Sequence, residues 1–252
     1  MKIIRLQEVD STSRHLIRLS GDRLEEGTVV VADRQTDGRG QGNNRWESEP
    51  GKNLTFSILL YPVFVKGVEQ FGLSKAIALA VSDFTAQHAE NVSVKWPNDV
   101  YLADKKLAGM LVENFMQGER ITKTVAGIGV NINQERFSGE APNPVSLCRA
   151  TGRRFDTEDC LRQILQYIAR RYEQLRTSPD ELHSDYIRRL YRFNRWASYQ
   201  ADGLRFKARI TGVNRYGMLE MITADNRTKT FGFKEVVFEQ DDSMPENPCD
   251  SL

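Results

Sequence analysis

Lys95-Trp96-Pro97-Asn98-Asp99, with Lys106 eleven residues on from Lys95, gathers two cations, a carboxylate and an amide into one short stretch of a 252-residue sequence. Around that lysine, Val100-Tyr101-Leu102 and residues 107–112 are apolar runs separated by Ala103-Asp104-Lys105, the pattern of a hairpin. Pro97 fixes its own φ, removes a backbone donor and keeps Trp96 out of helix. Asn98-Asp99 behind it reads as a turn. The hairpin therefore carries Asn98 and Asp99 at one end and delivers Lys106 at the other, a set suited to a charged ligand. A solvated turn with a structural Trp–Pro corner is the alternative, and a second stretch weighs against it. Residues 35–46 follow a β-branched run at 28–32 and hold three alternate glycines (Gly38, Gly40, Gly42), Arg39, Arg45, several amides and Trp46. Such a loop lies close to a ligand and offers N–H and guanidinium donors to an anion. It is neither common phosphate loop: the chain runs on through Glu49-Pro50-Gly51 to a strand rather than opening a helix, and Gly-Lys-Ser/Thr is absent. Its composition favours a lid ordered by ligand over a mobile surface loop.

Periodicity supplies the elements that must position these residues. Ile3 to Val9 reads as a strand, and Asp10-Ser11-Thr12-Ser13 then opens a helical pattern with Leu16, Ile17 and Leu19. Ser11 and Thr12 are good N-caps, yet a helix start equally holds a polar ligand on its unpaired N–H groups. Both roles stay open. Residues 53–61 alternate, with Leu54, Phe56, Ile58 and Leu60 on one side. Phe71, Ile77, Val81 and Phe84 form a helical core stripe, and 92–95 is a strand. In residues 125–133, Ala126, Ile128, Val130 and Ile132 point one way, while Gly127, Gly129, Asn131 and Asn133 point the other. That bare face is either a floor for a small planar molecule, with Asn131 at its rim, or a surface for helix packing. Residues 134–144 form a polar loop, a candidate second lid, and 145–150 a short helical turn. Asp156 caps a long amphipathic helix, and Ser178-Pro179-Asp180-Glu181 has the form of an N-cap with a capping box. Beyond Tyr199, short alternating runs at 204–210, 218–222 and 228–233 fit a small antiparallel barrel. The expected division is 1–195, then 196–240 for the barrel, then 241–252 as a disordered tail.

The totals exclude several classes. With 35 Lys and Arg against 34 Asp and Glu, and no long charge runs, nothing calls for nucleic acid or an anionic membrane. Met1-Lys2-Ile3-Ile4-Arg5 lacks the apolar core of a signal peptide, and no run reaches the length of a membrane span. Cys148, Cys160 and Cys249 are widely spaced without a Cys-x-x-Cys, which favours a reducing cytoplasm over a disulfide framework. His15, His88 and His183 are scattered and do not support a His-rich metal site.

Four pieces, in order, resemble the motifs of biotin protein ligases in their short form without an N-terminal DNA-binding domain. They are Ser11-Thr12, Gly38-Arg39-Gly40 through Trp46, Lys95-Trp96-Pro97-Asn98-Asp99 with Lys106, and Gly127-Ile128-Gly129-Val130-Asn131. The resemblance implies an α+β fold: a mixed-sheet catalytic domain with packed helices, then a small C-terminal antiparallel β-barrel like a Src-homology-3 domain. It also implies a two-step ligation. The biotin carboxylate attacks the α-phosphate of ATP to give biotinyl-adenylate and pyrophosphate, and a lysine on the biotin carboxyl carrier domain of a carboxylase then attacks the mixed anhydride. Carried onto this sequence, Lys106 would meet the carboxylate and α-phosphate oxygens, and Arg39 would close the lid over the activated acid. Gly38 and Gly40 would bring the lid backbone close, and Ser11, Thr12 and Gln35 would suit the ureido ring. Gly109, Leu111, Gly127 and Gly129 would lie against biotin. Gln41, Asn44, Trp46, Asn98 and Asn131 would serve the nucleotide, and Asp99 would serve Mg²⁺, which takes one or two carboxylates plus phosphate oxygens. Gln41 departs from the pattern, standing where some members carry Arg. Strict alternation also puts Lys106 on the opposite face from Gly109 and Leu111, so all three can meet one ligand only across a bulge or twist. The competing readings are a lipoate or octanoate ligase of the same fold, a biotin-responsive repressor and a non-catalytic binder. The repressor is disfavoured because the first family strand begins at Ile3 and the charge is balanced, so no operator binding is expected. Exposed sheet edges are compatible with a homodimer.

Overall fold

The strand Leu54–Leu60 is buried at every position, as a strand covered on both faces must be. It lies inside a seven-stranded sheet of a computed structural model that describes residues 2–22, 24–42, 44–137 and 143–239. The tail expected at 241–252, and part of the loop 134–144 read as a second lid, lie outside the described residues. The chain divides into two compact units, one ending at Tyr191 and one beginning at Arg192.

In chain order the first unit contains β1 (Ile3–Val9), α1 (Thr12–Leu19), β2 (Val29–Gln35), β3 (Leu54–Leu60), α2 (Phe71–Ala86), β4 (Val92–Lys95), β5 (Asp99–Leu102), β6 (Lys105–Gln117) and β7 (Arg120–Val130). It ends with α3 (Leu147–Thr151), α4 (Thr157–Thr177) and α5 (Pro179–Arg188). The sheet order is β1-β2-β3-β7-β6-β5-β4. β1 and β2 pair in parallel and the other neighbours antiparallel, giving the expected mixed sheet. Leu16 of α1 packs with Val30, Leu59 and Val125 on one face. On the other, Phe56, Ile58, Ala126, Ile128 and Val130 are buried, α2 packs on β4, β5 and β6, and α4 packs on α2. Because α4 and α5 cover its outer side, α2 is buried well beyond the four-residue stripe visible in the sequence.

The Asp156 cap forms as expected, its Oδ1 accepting from Asp159 N at 2.8 Å. The capping box at Ser178 does not. Ser178 closes α4 as well as opening α5, and its backbone (φ −145°, ψ 62°) is set by that double duty, so its side chain makes no cap bond. Among the described residues no helix is long and apolar enough to cross a membrane.

The second unit is an antiparallel sheet of β8 (Trp196–Ala201), β9 (Leu204–Val213), β10 (Leu219–Thr223), β11 (Thr228–Phe231) and β12 (Val237–Phe238). Its order is β11-β10-β9-β8-β12, with β11 and β12 at the edges. It is therefore not the closed barrel that the spacing predicts. β12 is two residues long and pairs only with β8, too short a strand to complete a ring. Ile210, Val213, Leu219 and Met221 are buried in this unit with Tyr199, and an aromatic cluster adjoins them: Phe206 lies between Tyr199 and Phe231, and Tyr199 meets Phe238, at centroid distances of 5.2–6.1 Å.

One buried charge in the first unit yields a prediction. Lys75 Nζ lies 2.7 Å from His183 Nδ1, near the rings of Phe71 and Tyr186. Burial pushes this ammonium from 10.5 down to about 8. A lysine depressed in the folded state opposes folding while both states are protonated, and that opposition fades as pH rises from the folded to the unfolded pKa. Lys75→Met should therefore raise the unfolding free energy at pH 7 by ~1–3 kcal/mol. In urea titrations the advantage should shrink as pH rises from about 8 to 10.5. No advantage at pH 7, or one that ignores pH, would contradict burial as the cause.

Candidate active site

Alternation alone would point Lys106 away from Gly109, and the sheet resolves this with one extra residue. Asp99 pairs with Gly109 and Val100 with Ala108, but Tyr101 pairs with Lys106, leaving Leu107 as a bulge in β6. A Cβ at Gly109 would lie 3.4 Å from both Lys106 Cε and Asp99 Oδ1, so the lysine and the floor share a face. Lys106 Nζ is 2.7 Å from Asp99 Oδ1, with side chains 22% and 18% exposed. Burial pushes the Asp99 carboxyl pKa up, and the pull of Lys106 and Lys95 in the other direction does not cancel it.

Backbone bonds hold the bulge. Lys106 N donates to Asn143 O at 2.8 Å, and Lys106 O accepts from Val145 N at 2.9 Å. Asn131, 4% exposed, donates its N–H to Leu107 O at 3.0 Å and its Nδ2 to Val145 O at 3.2 Å. Asn98 Nδ2 donates to Met110 O at 2.7 Å, while Met110 N returns a bond to Asn98 O at 2.9 Å. The Trp96–Pro97 peptide leading into this turn is cis. Both amides assigned to nucleotide by resemblance are thus engaged with main-chain carbonyls, bracing the segment that carries Lys106.

The polar end of the same face is built by the start of α1. Ser11 is the N-cap but its side chain makes no cap bond. Thr12 donates both its N–H (2.8 Å) and its Oγ1 (3.0 Å) to Gln35 Oε1. Ser57 Oγ bonds Thr12 Oγ1 at 2.8 Å and Ser13 Oγ at 2.9 Å. Ser11, Thr12, Ser13 and Ser57 are all buried. Sequence reading missed Ser13 and Ser57. The alternation of β3 held the signal, since Ser57 stands beside Gly127 on the neighbouring strand. The two glycines read as one floor have different neighbours. A Cβ at Gly127 would overlap Ser13 Oγ, whereas one at Gly129 would overlap the Trp46 indole, 2.5 Å from Cζ2 and 2.6 Å from Nε1. Helix packing explains the first glycine, and the seat of Trp46 explains the second. Leu111 pairs with Gly127 on this face.

The lid is a small hairpin. Trp46 N donates to Gly38 O (3.0 Å), Gly40 N to Asn44 O (2.7 Å), and Arg39 bridges Arg45, with Gln41 near the tip. A side chain at Gly38 would overlap Trp46 O. Trp46 Nε1 is buried without a hydrogen-bond partner among the described residues. Arg39 does not approach Lys106: its Nη1 lies 3.5 Å from Glu113 Oε1, about 20 Å further along β6 at ordinary strand rise. A cavity of about 840 Å³ opens beside the lid, lined among others by Gln35, Gly38, Trp46, Lys52, Asn133 and Arg136. Among the described residues no three His, Cys, Asp or Glu side chains converge on a metal position.

Comparison with known proteins matches this chain to a family. The model of the biotin/lipoate A/B protein ligase family covers residues 5–131. The bifunctional ligase/repressor BirA of Bacillus spizizenii is 32% identical over 67% of this chain, which spans about half (53%) of that protein's length. A biotin–[acetyl-CoA-carboxylase] ligase of Paracoccus denitrificans is 32% identical over 68% of this chain and 73% of its own. The biotin protein ligase of Aquifex aeolicus, solved with biotin and ATP, superposes with a TM-score of 0.78 at 28% identity, over 95% of this chain and 99% of that one.

The fit of Trp46 over Gly129 can be tested directly. Gly129→Ala should lift the indole, shifting its emission to the red and increasing acrylamide quenching in a Trp196→Phe background that removes the exposed Trp. Unchanged emission and quenching would show that the indole does not rest there.

Proposed function

Because the chain belongs to the biotin/lipoate A/B protein ligase family, we propose that it activates biotin with ATP as biotinyl-5′-AMP, releasing pyrophosphate, and transfers the biotinyl group to a lysine of a biotin carboxyl carrier domain, releasing AMP. The observation that carries this reading is the shared face on which the Leu107 bulge brings Lys106 beside Gly109, with the Thr12–Gln35–Ser57 cluster on the same side; Trp46 lies over Gly109 and Gly129, and a ligand spanning this face displaces it. One end is cationic and the other rich in hydroxyls and amide, which suits a ligand with a carboxylate tail and a hydrogen-bonding head.

The chemistry follows from charge. When a carboxylate attacks the α-phosphate, negative charge gathers on oxygens that Lys106 can meet, and a preorganised cation in a partly buried site is worth far more than one in water. In the free protein Asp99 holds Lys106 in place as its counter-ion. Asp99 is the carboxylate that would hold a Mg²⁺ arriving with ATP, and that ion would supply neutralisation of phosphate charge, its other ligands being phosphate oxygens. Trp46 stands where a nucleotide base could stack, with Gln41 and Asn44 at the lid's outer end, while Asn98 and Asn131 act by bracing the bulge. The closed lid keeps water from the anhydride.

The polar head favours biotin over lipoate. A ureido ring carries N–H donors and a carbonyl that can exchange hydrogen bonds with Ser11, Thr12, Ser57 and Gln35, whereas a dithiolane has none to offer this hydroxyl- and amide-rich end. The reaction belongs in the cytoplasm, where the free thiols of Cys148 and Cys160 stay reduced.

Lys106→Ala should lower biotin-dependent adenylate formation roughly 10²–10³-fold, the scale for losing one preorganised charge-stabilising group. A loss of only a few-fold would remove Lys106 from this role.

A further inference from the structure

A lid over an activated acid needs a hold that can also let go. Ion pairs at two points fasten the lid to the described part of the fold, and they differ in kind. At its root Arg14 of α1 pairs with Asp37, and the guanidinium holds that carboxyl below the usual range. Thr36 N to Val9 O and Asp37 N to Asp10 O, both 2.9 Å, fix the same point, so this pair is an anchor. The second pair joins the hairpin itself to the sheet: Arg39 Nη1 to Glu113 Oε1, 3.5 Å, with side chains 44% and 27% exposed. It is the looser of the two.

Glu113 is odd for its place. It stands on the face of Gly109 and Leu111, opposite Val125 of the apolar core. Its Oε2 is buried with no hydrogen-bond partner among the described residues. Sheet packing alone would favour an apolar side chain there, because a carboxylate with an unmet buried oxygen costs stability. The cation that meets it comes from the lid. Arg39 in turn bridges Arg45, the residue before Trp46, and Gly38 O accepts from Trp46 N. Whatever holds Arg39 therefore holds the indole over Gly109 and Gly129.

We propose that Glu113 is a positioning residue, the releasable catch of the lid, which through Arg39 sets Trp46 on the glycine floor. An anionic ligand that draws Arg39 inward must take it from Glu113, so capture of the ligand and release of the catch are one exchange. That consequence rests on the ligase reading; the catch itself does not.

The test uses the intact chain without biotin or ATP and follows trypsin cleavage after Arg45, with cleavage after Arg188 as an internal control. Glu113→Gln keeps the shape and removes the charge. It should speed cleavage after Arg45 about two- to five-fold, the range for losing a partly exposed ion pair, and leave the control site unchanged. The difference should fade in 1 M salt, where the Debye length is about 3 Å. Arg39→Gln, at an exposed position, tests the same link should the Glu113 variant fold poorly. Arg39→Glu should also open the lid, and combining it with Glu113→Arg should restore protection, a rescue that a purely structural glutamate would not show. Cleavage at the wild-type rate in the single variants, or a double variant as labile as they are, would overturn the proposal. A chain that never releases pyrophosphate would end the ligase reading and leave this result untouched.

Discussion

A lysine ammonium within 2.7 Å of a largely buried carboxylate, on a strand that alternation would have aimed elsewhere, is the constraint on which the site depends. Neither partner is stable there alone, since removing one leaves an uncompensated buried charge. The pair must therefore be delivered together. The Leu107 bulge turns Lys106, the Asn98–Met110 bonds zip the Asp99 turn onto the same strand, and Asn131 clamps the bulge from β7's end. These contacts are main-chain or amide to main-chain, so they fix position without adding charge beside the pair.

Close approach is the second theme. Ser13 can reach Ser57 because Gly127 has no side chain, and Trp46 can lie flat because Gly129 and Gly109 have none. One bare strip thus serves two purposes, seating the start of a helix at one point and an aromatic lid at the next. The helix start contributes further because Ser11 leaves its side chain uncommitted to capping, while Thr12 fixes Gln35. Scaffold and site are built from the same contacts.

The sequence disclosed the elements more readily than their meeting points. Mixed sheet, helices and lid follow from local period and turn chemistry, which act over a few residues. The need for a bulge was visible in the spacing of Lys106 and Gly109, but its location was not, because Asn131 selects Leu107 from a distant strand. Ser13 and Ser57 escaped notice for the same reason: hydroxyls in a helix start and a core strand gain meaning only when the sheet brings them together. Arg39 was placed by motif at the activated acid, and its partner in the folded chain is Glu113, a residue no local pattern singles out. Closure of the C-terminal barrel was expected from strand spacing, yet closure depends on the length of the last strand, and β12 is too short. Likewise the form of a capping box at Ser178 could not reveal that another helix ends on the same residue.

The central claim is that this face joins a biotin carboxylate to ATP, and the most direct measurement is pyrophosphate release from ATP with biotin or lipoate supplied separately and no acceptor protein present. The account predicts release with biotin alone and an adenylate retained on the protein. Release with lipoate alone would keep the lysine and the fold but replace the substrate. No release with either, from protein that binds biotin, would contradict the account.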